Sequence, residues 1–112
     1  MPSGSPTFDL VVATLGRVDE PRRLLDSLED QTYRSFRVLV VDQNPDGRLE
    51  SVLAGRPLEI VRVASEPGLA RARNAALPLL SADVIAFPDD DCAYAPTLLE
   101  RVGGRFEEDP AL

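Results

Sequence analysis

Four short apolar runs recur along the chain, and the stretches between them have the length and pattern of single helices. The tightest run is Phe36–Asp42 (FRVLVVD), nearly continuous in apolar residues, as in a strand buried on both faces of a parallel sheet. Phe8–Leu15 (FDLVVATL), Leu58–Ala64 (LEIVRVA) and Asp83–Phe87 (DVIAF) read as the other strands. After the first of these, Asp19 is placed to cap a helix that carries Pro21 in its first turn. Leu24, Leu25 and Leu28 share one face of that helix, and its pattern ends near Gln31–Thr32. A short helix is expected over Leu49–Leu53. A helix rich in Ala and Leu follows over Leu69–Leu80, bent or ended by Pro78, and a last one over Pro96–Phe106 is weakened by Gly103–Gly104. Strands alternating with helices predict an α/β fold: a doubly wound, mostly parallel sheet with helices on both faces and right-handed crossovers.

A length of 112 residues suits one domain or part of one. Residues 1–7 (MPSGSPT) are polar and Pro-rich and read as a flexible segment, and 8–112 as one folded unit without an internal boundary. The pattern stops just after a helix, where a further strand is expected. That suggests a fragment, a natural truncation, or a chain completed by a second copy or by a missing C-terminal half. The longest purely apolar stretch is four residues and no secretory signal is visible, so the expected compartment is the cytoplasm; peripheral membrane contact is compatible with the composition. Nineteen acids against twelve bases leave a net charge of −7, which repels phosphate backbones and argues against a nucleic-acid partner.

The absences narrow the chemistry further. Without His, no Ser–His or Cys–His nucleophile can be built from this chain. All twelve bases are Arg, which excludes a Lys Schiff base and a P-loop Lys. The lone Cys92 excludes an internal disulfide and a Cys-rich zinc site, and its place directly after three acids disfavours a thiolate, so it reads as structural. The side chains left for a metal are mainly oxygen donors, which favour hard cations such as Mg²⁺, Mn²⁺ or Ca²⁺.

In an open parallel sheet, ligands sit outside the carboxyl ends of the strands. Those ends carry Thr14, Asp42, Ser65–Gly68 and Asp89–Asp90–Asp91. Three consecutive Asp side chains repel one another, and a buried strand leading into them suggests a cation that offsets the repulsion. In an extended run Asp89 and Asp91 point to one side and Asp90 to the other; the alternative is a solvated acidic loop or caps for the next helix. Asp42 can accept hydrogen bonds from a ribose or a base N–H, or can simply form the turn into Asn44–Pro45–Asp46–Gly47. Gly68 opens a helix whose free N–H groups favour an anion. Arg71 and Arg73 lie two apart, so at most one faces the rim, and Asn74 could brace the loop. Arg22–Arg23 and Glu107–Glu108–Asp109 read as solvated faces.

Taken in order, VVATLGR, RRLLDSLEDQTY, FRVLVVDQNPDG, EPGLARARNAAL and ADVIAFPDDDC resemble the N-terminal, nucleotide-sugar-binding half of a family-2 inverting glycosyltransferase with the Rossmann-like A-type fold, over about residues 8–112. The resemblance implies a nucleotide-diphosphate sugar as donor, a divalent cation (Mn²⁺ or Mg²⁺), and a sugar, lipid or protein acceptor. It implies that Thr14 lines the base and ribose pocket and that Asp42 bonds the nucleobase. Gly68, with Arg71 or Arg73 and Asn74, would border the base and phosphates, and Asp83 would support the loop below. Asp89–Asp90–Asp91 resembles the Asp-x-Asp signature, with Asp91 as the metal contact and Asp89 near the ribose or a metal-bound water. The general base of such enzymes would lie beyond Leu112. Three other readings compete: a nucleotide-sugar-binding module without transfer, a receiver-like phosphoacceptor domain that would lack its usual Lys, and a nucleotidyltransferase that would lack its Gly-rich loop.

Overall fold

The computed structural model describes residues 6–108, so residues 1–5 of the expected flexible segment and 109–112 lie outside the described part. Four parallel strands form one sheet: β1 (Phe8–Thr14), β2 (Phe36–Asp42), β3 (Ile60–Ala64) and β4 (Val84–Ala86), in the order β3-β2-β1-β4. The helices are α1 (Asp19–Glu29), α2 (Glu50–Leu53), α3 (Leu69–Ala76) and α4 (Leu98–Glu108).

The period of two along a strand decides which helix each residue meets. Phe8, Leu10 and Val12 of β1, with Val38 and Val40 of β2, pack against Leu24, Leu25 and Leu28 of α1, Val52 of α2 and Leu99 of α4. The intervening Val11, Leu39 and Val41 turn to the other face and meet Ala72 and Ala76 of α3. Two alanines four residues apart let that helix lie close to the sheet. The doubly wound sandwich expected from the alternating runs is therefore present, with β1 and β2 central and β3 and β4 half-buried at the edges.

Several boundaries shift for identifiable reasons. Asp19 lies inside the first turn of α1 rather than capping it; Val18 is the cap, and Asp19 pairs with Arg22 at 3.0 Å. α3 ends at Ala76 because Pro78 brings no N–H, and Leu77–Leu79 tighten into a 3-10 turn. α4 runs through Gly103 and Gly104 without a break. β4 is shorter than its apolar run. Asp83 is engaged below it, its carboxylate accepting from the Thr7 backbone N–H at 3.0 Å, and Pro88 cannot continue the ladder.

Candidate functional site

The winding order reverses between β1 and β4: from β1 the chain winds outward to β2 and β3, then crosses back to place β4, still parallel, on β1's other side. A crevice opens at such a switch point. Leu10 of β1 pairs with Ala86 of β4, and the same offset carried upward sets Thr14 opposite Asp90. There the Thr14 hydroxyl donates to Asp90 Oδ2 at 2.9 Å, closing the rim above the point where the ladder stops. Arg17, from the loop after β1, adds Nη1 to Asp90 Oδ1 at 3.1 Å and approaches Asp91 Oδ2 at 3.8 Å.

The acids do not form the extended run expected of them. A turn closed by the Cys92 N–H on the Asp89 carbonyl (3.1 Å) folds the segment back. The turn still separates Asp90 from the other two. Ligand atoms of Asp89, Asp91 and Cys92 lie within 4.8 Å of one another, a group that could hold a metal ion. Cys92, read from the sequence as structural, stands in that group.

On the β2 side, Asp42 is fully buried and both its oxygens are engaged. Oδ1 accepts from the backbone N–H (3.0 Å) and the side-chain amide (2.8 Å) of Asn44, and Oδ2 from Arg62 Nε (2.9 Å). The parallel register sets Asp42 beside Thr14 and Ala64, so the three strand ends are level. A cleft of about 500 Å³ lies over this corner, bordered by Leu15, Asp42, Asn44, Pro45, Ser65 and Glu66. In the adjoining turn, hydrogen bonds from Arg48 hold the exposed Asp46 carboxyl below its ordinary pKa.

The α3 N-terminus completes the rim. Gly68 takes φ 129° and donates its N–H to Gln43 Oε1 at 2.8 Å. Of the two arginines that follow, Arg73 faces the crevice: its guanidinium lies 4.8 Å over the Phe87 ring and lines a small hollow with Asp89 and Asp90. Arg71 instead pairs with Glu66. Asn74 is exposed on α3 and lines neither hollow. A further cavity of about 540 Å³ runs along α4 and contains none of the expected residues.

Thr14, Asp42, Gly68, Arg73, Asp89, Asp90 and Asp91 thus share one rim. Four further residues join them that the strand-end argument did not single out. Arg17 pairs with Asp90 and approaches Asp91, and Arg62 pairs with Asp42. Asn44 also accepts the Gly16 N–H at 2.7 Å, and Gln43 anchors Gly68. Their chain neighbourhoods carry no signal for this, because each partner comes from a different strand.

Residues 9–112 match glycosyl transferase family 2. An uncharacterized glycosyltransferase of Haemophilus influenzae is 30% identical over 107 residues, covering 92% of this chain and 35% of that protein. Another from Bacillus subtilis is 24% identical, covering 89% and 38%. The chain therefore spans about a third of the length of the curated relatives it matches. Among solved structures, residues 1–349 of S. aureus TarS in complex with UDP-GlcNAc superpose with a TM-score of 0.79 at 27% identity, covering 91% of this chain and 31% of that one.

Proposed function

The chain belongs to glycosyl transferase family 2, and from that premise we propose that its rim binds the nucleotide diphosphate of a sugar donor with the help of a divalent cation. In the whole protein the sugar passes, with inversion, to a hydroxyl of a sugar, lipid or protein acceptor. The observation that carries this reading is the Thr14–Asp90 bond across the β1/β4 switch point, which draws the acid turn into the crevice where ligands of such sheets sit. The UDP-GlcNAc complex of TarS, a structure 27% identical to this chain, supports a nucleotide sugar as the ligand class.

The donor set fits a divalent cation through its oxygens: Asp89 and Asp91 supply hard carboxylate donors close enough to share one ion, with the softer Cys92 sulfur beside them. When bound, that ion would stabilise charge on the departing diphosphate. Asp91 and Asp89 would hold it, and Thr14 fixes Asp90 so that the turn presents them outward. Arg73, braced on Phe87, faces the phosphates. The cleft beside Asp42 takes the base; the buried carboxylate, balanced by Arg62 and engaged on both oxygens, fixes the Asn44 turn that borders it. Inversion also requires a general base to deprotonate the acceptor, and no described residue is assigned to it. Since the chain spans about a third of its relatives, a second reading follows: a module that binds the donor without transferring it.

Calorimetric titration of UDP, GDP and dTDP, with and without Mn²⁺, tests the reading. Mn²⁺ is expected to tighten one of the three by roughly tenfold, about 1.4 kcal/mol. Asp91→Asn should abolish that gain, and Asp42→Asn should weaken nucleotide binding in both conditions. Two variants that bind like the parent would remove the site assignment. Sugar transfer or donor hydrolysis by the chain would decide against the binding module.

A further inference from the structure

Arg17 sits where a cation would be expected to act. Its Nη1 lies 3.1 Å from Asp90 Oδ1 and 3.8 Å from Asp91 Oδ2, and its side chain keeps 45% exposure. The two contacts are unequal. Asp90 is only 13% exposed and is held on its other oxygen by Thr14, so it is fixed with or without Arg17. Asp91 is 57% exposed, and the guanidinium only approaches it, beyond hydrogen-bond distance. An exposed pair of this kind adds little to folding. Its effect is on local charge: one positive group set between two of the three carboxylates.

Resting on the donor reading above, we propose that Arg17 is a tethered counter-ion: it shares Asp91 with the divalent cation, yields it when the cation enters, and then turns to the donor's diphosphate. The loop favours this exchange by side-chain motion alone. Gly16, at φ 74°, donates its N–H to Asn44 Oδ1 at 2.7 Å, so the backbone before Arg17 is pinned to the β2 loop. Asp42 in turn holds Asn44. The guanidinium therefore swings from a fixed base. In the free chain it offsets the repulsion within the acid turn. With the cation present it is released beside the crevice, where the diphosphate needs a second positive group. Arg17 would thus oppose one ligand and assist the other.

That pair of opposite signs is the test. Mn²⁺ binding to the nucleotide-free chain is measured by electron paramagnetic resonance for wild type, Arg17→Ala and Arg17→Gln, and UDP and GDP binding is then measured at saturating Mn²⁺. Circular dichroism confirms that each variant is folded. Removing the guanidinium is expected to tighten Mn²⁺ about three- to tenfold, since a like charge leaves the site. The same change should weaken the nucleotide about fivefold or more. A purely structural Arg17 would make both affinities fall together. Mn²⁺ affinity that is unchanged or lower in both substituted chains overturns the proposal while leaving the donor reading intact. A wild-type chain that takes up neither Mn²⁺ nor nucleotide removes the donor reading, and this inference with it.

Discussion

Gly68 is where backbone conformation and site geometry meet. Its φ of 129° and ψ of 133° lie in a region that L side chains rarely adopt, and the N–H so aimed reaches Gln43. A Cβ added there would have room, since its nearest neighbours are Arg71 side-chain atoms at 3.7 Å and beyond. The cost of Gly68→Ala is therefore conformational rather than steric, about 1–3 kcal/mol. Chemical denaturation should show a lower midpoint at unchanged slope. A midpoint equal to wild type would mean that the loop relaxes into an ordinary φ. The same residue marks what the sequence discloses at this scale. Gly68, Thr14, Asp42 and the three acids each end or follow an apolar run, so their location on the rim was readable. Arg17 and Arg62 were not, because their meaning lies in partners on other strands. Arg62 stands two residues below Ala64, the register partner of Asp42, and that register is a property of the assembled sheet.

At the scale of elements, helix α4 shows where local propensity and packing part company. Two adjacent glycines weaken a helix by about 1 kcal/mol each relative to Ala, yet α4 continues through them. Gly103 is buried where a Cβ would touch the Tyr33 ring at 3.5 Å, and Tyr33 in turn packs edge-on to Phe8 at 5.6 Å. Its small size brings the helix close to the sheet. Gly104 meets nothing within 4 Å and carries only the propensity penalty. Gly104→Ala should therefore stabilise the chain by about 0.5–1 kcal/mol, seen as a rise of a few degrees in melting temperature. A fall would mean that α4 needs the backbone freedom. The element order and the buried face of α1 were legible because periodicity and burial agree there. Element ends were less so. Asp19 joins the first turn of α1, where it pairs with Arg22, instead of capping it. β4 loses both ends of its apolar run, to Asp83's bond with Thr7 below and to Pro88 above. The acid turn after it follows from that early end, so the spacing of Asp89, Asp90 and Asp91 was visible in the sequence but the geometry grouping them was not.

For the molecule as a whole, the β1/β4 seam is fastened at both ends. Thr14 and Asp90 close it at the rim; at the opposite edge Asp9 of β1 does the same for the segment leading into β4. Asp9 is 1% exposed. It accepts from Arg37 Nε at 2.6 Å and from the Ser81 and Ala82 N–H groups at 2.8 and 3.1 Å, while Arg37 also reaches the Leu79 carbonyl. One carboxylate thereby joins β1, β2 and the entry to β4. Burial alone would push its pKa up. The Arg37 side chain and the two backbone N–H groups outweigh burial and hold it below the usual carboxylate value. A carboxylate whose folded pKa is depressed stabilises the fold above its unfolded pKa, and that stability is lost as pH falls through the folded pKa. Asp9→Asn keeps the shape but removes the charge, and its amide NH2 group must face either the Arg37 Nε–H or the Ser81 and Ala82 N–H groups. It should cost about 2–4 kcal/mol at pH 7. The gap between variant and wild type should then begin to shrink as pH drops below about 4, where the unfolded chain's carboxyl takes up its proton, and should go on shrinking as pH falls through the lower folded pKa. Urea melts of both proteins between neutral and acid pH measure that gap. A gap that stays constant with pH would mean that Asp9 acts through shape and hydrogen-bond count rather than through its charge, and that the acid limb of this fold is set elsewhere.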